Sequence, residues 1–390
     1  MFQLLLLIIY LAFISLGLPD SLLGAAWPSI YQELAVPVSY AGGISMIIAV
    51  GTIISSLQSD RINKKWGTGK VTAFSVLMTA VALFGFSISH SYLALCLWAI
   101  PYGLGAGSVD AALNNYVALH YTSRHMSWLH CMWGVGASLG PYIMGYVLTN
   151  GSSWDMGYRY IALMQFVLTA VLLFSLPLWK HKTSADVKDD PEKREPLPLK
   201  KIIGIPGAKE VMVTFFCYCA TEQTTGLWAS SYLMLNRGLS EDTAASFASL
   251  FFVGITIGRA LGGFLTLKLN DTQMIRLGQA LIAVGAFSLF LPFGERGALT
   301  GLILIGLGCA PIYPSIIHST PDRFGADKSQ AIIGVQMASA YVGTCLMPPV
   351  FGVIANHINV SLLPIYLLFI LVIMVLMHEK LLKATSKGTI

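Results

Sequence analysis

The sequence predicts an all-α membrane protein of twelve transmembrane helices in two six-helix halves. Three observations predict it. Apolar residues make up 55% of the 390-residue chain and charged residues only 11%, against roughly 25% in an ordinary soluble domain. Mean hydropathy is +0.69. Apolar stretches of about 20 residues, the length a spanning helix needs, recur along the whole chain. This composition excludes a soluble globular enzyme and an intrinsically disordered chain alike.

Taken in order, the spans of the first half are Phe2–Pro28, Ser39–Ser59, Val71–Ser89, Tyr92–Leu119, Met126–Leu148 and Tyr158–Trp179. Those of the second are Glu210–Leu235, Thr243–Leu267, Gln273–Phe293, Gly297–Ser319, Gln330–Ala355 and Ser361–Met377. The first stretch lacks a basic region before its apolar run, so it reads as a spanning helix and not a signal peptide. Gly140-Pro141 and Pro348-Pro349 read as bends, because proline interrupts the helix ladder. Lys180 to Gly207 is too rich in charge and proline to span and reads as a solvated linker. The expected organisation is therefore a bundle over residues 1–180, a linker over 181–208 and a second bundle over 209–390.

Orientation follows from the placement of lysine and arginine. With twelve spans, 20 of the 24 lysines and arginines fall on the side of the termini and the linker. Arg159, Arg237 and Arg296 fall on the other, and Arg259 lies within a span. This bias assigns both termini and the linker to the cytoplasm, with the chain in the cytoplasmic (inner) membrane. The basic residues form no single stripe, so nucleic acid is not an expected partner. The six cysteines all lie in apolar runs and read as small buried hydrophobes.

The halves echo each other at an offset of 203 residues. Gly103-Leu104-Gly105 corresponds to Gly306-Leu307-Gly308, and Val50-Gly51 to Val253-Gly254. Asp20 before Trp27 is echoed, with a one-residue slip, by Glu222 before Trp228. Two six-span halves in parallel repeat describe a secondary transporter whose site lies near the bilayer midplane.

The chain resembles the major facilitator superfamily over its whole length. Ser59-Asp60-Arg61-Ile62-Asn63-Lys64-Lys65, between spans two and three, is similar to the family's cytoplasmic loop motif. Ser56 and Asn63 stand where the motif has glycine. The resemblance implies a gate latch, carried over to Asp60 and Arg61 only. Finer features resemble the fucose permease and sodium-dependent glucose transporter branch. They are Gly-x-Gly-x-Gly-x-x-Asp-x-x-x-Asn from Gly103 to Asn114, His130 before Gly134-x-Gly136 and Gly140-Pro141, Glu222 with Trp228 and Tyr232, Gly258-Arg259 with Gly262-Gly263, and Ala310-Pro311-Ile312-Tyr313-Pro314. This branch implies sugar transport driven by a cation.

Three acids lie deep in apolar spans: Asp20, Asp110 and Glu222. A charge at a helix centre costs about 2.5–3.5 kcal/mol on insertion scales, so such residues face a bundle interior or water. They lie on spans one, four and seven, which the major facilitator fold places around its central cavity. Asp110 sits roughly 14 Å from the cytoplasmic end of its helix, near the midplane of a core about 30 Å thick. Asn114, one turn on, shares its face. An acid and an amide so placed suit a pair of sugar hydroxyls or a small cation; the plainer alternative is that Asn114 only holds Asp110 in place. Asp20 follows Pro19, where a helix break suits a protonation switch or a sodium ligand set; the alternative is a capped kink. Asp20 and Asp110 are the candidate coupling residues.

Candidate substrate contacts are Asp110, Asn114, Glu222, Gln223, Trp228, Tyr313, Gln336 and His130. Glu222 and Gln223 supply polar partners for hydroxyls, and Trp228 an aromatic face, though an interfacial tryptophan belt accounts for it equally well. Tyr313 occupies the repeat position of Asp110. His130 reads as a proton relay or as a packing hydrogen-bond donor. Arg259 joins Asp60 and Arg61 as a gate candidate, by snorkelling or pairing near a helix end.

There is no phosphate loop, no Ser-His-Asp or HExxH arrangement and no soluble catalytic domain, which argues against an enzyme or an ATP-driven pump. The expected function is cation-coupled uptake of a sugar or similar small polar solute by alternating access. H⁺ or Na⁺ is the coupling ion, with no cofactor or metal, in a monomer. Two alternatives stand beside it. An exporter of drugs or amphipathic metabolites would favour an apolar aromatic cavity, and a transport-inactive receptor or scaffold would need no buried carboxylates.

Overall fold

The computed structural model describes residues 2–20, 22–37, 40–180, 197–239, 241–290 and 294–386. The expected linker over 181–208 lies outside them as far as residue 196. The described residues form helices and no strand. In the first half these are α1 (Phe2–Asp20), α2 (Leu22–Glu33), α3 (Tyr40–Trp66), α4 (Thr68–Ser87), α5 (Tyr92–His120), α6 (Ser123–Thr149) and α7 (Trp154–Lys180). The second holds α8 (Leu199–Ile203), α9 (Ala208–Arg237), α10 (Glu241–Leu265), α11 (Asp271–Phe290), α12 (Gly294–His318), α13 (Thr320–Phe324), α14 (Ala326–His357) and α15 (Leu363–Ser386).

Nine helical stretches among the described residues are long and apolar enough to cross a membrane, Gln3–Trp27 being one of them. α6 and α9 are as long, at 27 and 30 residues, but are not among the nine. α10 contributes the apolar stretch Leu250–Leu265. With α1 and α2 counted as one span, this is consistent with twelve. Phe174, Tyr142 and Leu93 are exposed to 86%, 72% and 69%. Large apolar side chains on the outside are what a lipid-facing surface requires. The chain is a multi-pass membrane protein.

Two compact units are distinguished. One comprises Met1–Tyr116 and Leu129–Leu197, the other Val117–Trp128 and Pro198–Ile390. In the first, α4 packs along α7. Gln165 on α7 accepts from Thr79 Oγ1 at 2.8 Å and donates to the Ser15 carbonyl at 2.8 Å, tying α4, α7 and α1 together. In the second, α12 packs against both α10 and α11, and α9 against α14 and α15.

The repeat at 203 residues is present in the packing itself. A Cβ on Gly103 would collide with the carbonyl of Ile48, and one on Gly306 with the carbonyl of Phe251. Gly105 faces the Ser75 carbonyl as Gly308 faces that of Gly278. Each residue of the second pair lies 203 positions after its counterpart. The glycines let α5 approach α3 and α4 within backbone contact, as small residues do in membrane helices, and α12 repeats this against α10 and α11. All six cysteines are free thiols; Cys217, Cys219 and Cys309 are buried and the others half-buried.

Candidate functional site

Asp20 owes its position to a close helix pair. Pro19, which lacks the N–H that continues a helix ladder, lies inside α1 immediately before Asp20. Beside it, α1 and α6 touch through backbone: Gly17 abuts the Trp133 carbonyl, Gly136 that of Ile14 and Gly140 that of Leu18. This contact brings Trp133 to Asp20, where the indole Nε1 donates to Oδ2 at 2.8 Å. Tyr102 on α5 donates its hydroxyl to Oδ1 at 3.2 Å. Asp20 remains exposed while Tyr102 is buried. The result is an accessible carboxylate with one donor on each oxygen and two aromatic rings beside it.

Asp110 lies eight residues beyond Tyr102 on α5, about 12 Å along the axis. Asn114 Nδ2 donates to Asp110 Oδ1 at 2.8 Å and to its carbonyl at 3.0 Å. His130 Nε2 lies 3.0 Å from Asn114 Oδ1. All three side chains are buried. Because Asn114 spends its amide N–H on Asp110, its oxygen faces His130, and His130 Nε2 must carry a proton to donate. Phe13 holds the imidazole edge-on at 5.5 Å. The expected acid–amide pair is thus extended by a histidine from α6. Asp20 and Asp110 lie in one unit.

The second unit holds the third acid. Tyr218, one turn before Glu222 on α9, donates its hydroxyl to Glu222 Oε2. Arg259 from α10 places a guanidinium nitrogen 3.7 Å from Oε1. Arg259 and Glu222 are 4% and 9% exposed, so this ion pair is buried. Tyr313 on α12 meets the ring of Tyr218 edge-on at 5.8 Å and that of Phe215 at 4.7 Å. Its hydroxyl lies 3.1 Å from the Met337 sulfur. The charge of Arg259, an expected gate residue, is thus spent on an expected substrate residue.

The other candidates in this unit stand apart. Gln223 is exposed. Trp228 donates its indole N–H to the Pro348 carbonyl at 3.0 Å and packs edge-on against Phe351 at 5.4 Å. Gln336 is fully buried and exchanges hydrogen bonds with Thr320 Oγ1 at 3.0 and 3.3 Å, joining α14 to α13.

The sequence model of the Major Facilitator Superfamily matches residues 9–348, and again 211–388. The chain belongs to this superfamily. It is therefore a transporter and not an enzyme. Among its relatives is the sodium-dependent glucose transporter 1A of Mus musculus, 22% identical over 89% of each chain. Its fold is similar to that of the E. coli fucose:proton symporter FucP, with a TM-score of 0.72 at 16% identity over 96% of this chain and 98% of that one. It is also similar to the proton:xylose symporter XylE, with a TM-score of 0.80 at 13% identity over 97% and 94%.

In this family member the loop motif takes a definite local form. Asp60 is buried near the end of α3, binds Lys64 Nζ at 3.0 Å and accepts from the Leu197 amide at 3.3 Å. Arg61 is exposed. The two expected latch residues therefore occupy different environments. Sequence reasoning missed Tyr102 and Trp133 as partners of Asp20, since they come from other helices. It missed Tyr218 although the signal was present, four residues before Glu222 and on the same helix face.

Proposed function

We propose that the chain is a cation-coupled carrier of a sugar or similar small polar solute, working by alternating access. The observation that carries this reading is Asp20: an exposed carboxylate inside the first span, held by Trp133 and Tyr102. A sugar offers hydroxyls to a carboxylate and an apolar ring face to an aromatic, and this position offers both. A carboxylate at membrane depth also suits a cation, because neutralising it lowers the cost of passing through an occluded state. Asp20 and Asp110 are the coupling residues of this reading. Asp110, Asn114, His130 and Glu222 are the polar substrate contacts, and Tyr313 and Trp228 add aromatic surface. Asp60 and Arg61 serve the gate. Support comes from the names of three similar proteins, a sodium-dependent glucose transporter, a fucose:proton symporter and a proton:xylose symporter.

The coupling ion in this reading is H⁺ or Na⁺. The lysine and arginine bias puts both termini and the linker in the cytoplasm and the chain in the cytoplasmic membrane. The domain division at residues 180 and 209 belongs to the same reading.

Counterflow of radiolabelled monosaccharides in proteoliposomes tests it. A sugar that exchanges across the membrane, and accumulates when a proton or sodium gradient is imposed, is the expected result. Exchange of amphipathic compounds with no sugar exchange would favour the exporter instead.

A further inference from the structure

One cluster in the second unit is used by none of the sites above. It grips the tip of the α5–α6 hairpin. Ser123, the first residue of α6, donates its hydroxyl to Asp271 Oδ1 at 2.6 Å. His318, the last residue of α12, sets Nδ1 2.7 Å from Asp271 Oδ2 and Nε2 3.2 Å from the carbonyl oxygen of Tyr121. Asp271 is the first residue of α11. The side chains of His318 and Asp271 are 17% and 14% exposed, so water does little to replace these bonds. All four residues lie in the second unit.

The donor count decides the state of the ring. The carboxylate of Asp271 and the carbonyl of Tyr121 are both acceptors. A neutral imidazole has one N–H and one lone pair, so it satisfies one of them and turns its lone pair against the other. An imidazolium donates to both. The two bonds of His318 are compatible only with the doubly protonated ring.

The charges around the ring are few. Asp271 faces it from α11, and Asp322 on α13 adds negative charge nearby. Arg323, the neighbouring cation on α13, donates to Thr272 Oγ1 at 2.9 Å. Burial pushes the Arg323 guanidinium below its ordinary value, and Asp271 and Asp322 oppose that shift. On the hairpin itself, Arg124 lies 5.8 Å over the ring of Trp128, and His125 meets the Tyr121 ring edge-on at 5.7 Å.

We infer that His318, Asp271 and Ser123 form a proton-dependent clasp on the tip of the α5–α6 hairpin, closed while His318 is an imidazolium and loosened when it loses a proton. They are positioning residues, because the hairpin they hold carries Asp110 on α5 and His130 on α6. That role in transport rests on the alternating-access reading; the clasp itself belongs to the protein without substrate.

Hydrogen exchange of the Val117–Trp128 segment tests it. The full-length protein in detergent, without sugar, is compared at about pH 6 and about pH 9, on either side of the range where histidine titrates. Rates are divided by those of the unstructured peptide at each pH. Wild-type protection is expected to fall roughly tenfold or more at the higher pH, the worth of one hydrogen bond to a charged group. His318→Gln, which cannot change its charge, should show the low protection at both pH values. Asp271→Asn should do the same, with exchange in α15 unchanged as proof of folding. Wild-type protection that ignores pH, or a pH dependence that persists in His318→Gln, overturns the clasp. The readout uses no substrate, so failed sugar counterflow would count against the carrier and leave the clasp standing. Running counterflow with pH-independent protection would do the reverse.

Discussion

The indole N–H of Trp133 meets the Asp20 carboxylate at 2.8 Å, across a junction where α1 and α6 touch through backbone at Gly17 and Gly136. The pair therefore depends on glycine packing within a turn of each partner, and the packing itself follows from the order of residues on two helices. A hydrogen bond to an ionised group is worth about 1.5–3 kcal/mol. Trp133→Phe keeps an aromatic ring and removes the donor. Sugar transport, measured as kcat/KM, is expected to fall by roughly tenfold or more. Unchanged kinetics would remove Trp133 from the site.

The ion pair of Glu222 and Arg259 makes a stability prediction. Removing one partner of a buried pair leaves an uncompensated charge and costs about 3–5 kcal/mol. Arg259→Leu and Glu222→Leu should each lower the thermal unfolding temperature in detergent strongly. The double variant should lose clearly less than the sum of the two, because neither charge is then stranded. Additive losses would mean that the 3.7 Å approach carries no coupling.

The repeated glycine contacts predict paired sensitivity. Gly103→Ala and Gly306→Ala each force a methyl group against a helix carbonyl and should destabilise by about 1–3 kcal/mol. Gly24→Ala and Gly145→Ala meet nothing within 4 Å and should be near neutral. Thermal unfolding of the four variants checks this, and equal effects at all four would contradict the close approach of α5 to α3 and of α12 to α10.

The spans, the repeat and the family were legible because each is written in local sequence. A spanning helix announces itself by length and hydropathy. The offset of 203 residues is visible in Gly103-Leu104-Gly105 and Gly306-Leu307-Gly308. Asn114 was readable as a partner of Asp110 because the two lie one turn apart on a single helix. The pairing of Arg259 with Glu222, of Trp133 with Asp20 and of His318 with Tyr121 joins residues on different elements. Helix register and rotation decide such pairs, and composition carries no record of either. Gln336 illustrates the limit: a polar residue in a span reads as a ligand contact, yet its amide is occupied by Thr320.

For the gate, Asp60→Ala removes the acceptor for Lys64 Nζ and for the Leu197 amide. It is expected to slow turnover more than it weakens substrate binding, as seen by comparing maximal transport rate with binding in detergent. A collapse of binding with turnover per bound substrate unchanged would contradict a latch at Asp60.

The central claim is that a cation must neutralise an acid of the first unit before the loaded carrier reorients. Asp20→Asn keeps the shape of the protonated acid and removes its charge. The direct measurement compares this variant with wild type in the same proteoliposomes, first for sugar counterflow and then for uptake driven by an imposed gradient. For a proton-coupled carrier, counterflow should persist and gradient-driven accumulation should vanish; for a sodium-coupled one, sodium should no longer stimulate binding or accumulation. Accumulation by Asp20→Asn at the wild-type level would contradict the assignment and move the coupling site to Asp110 or Glu222.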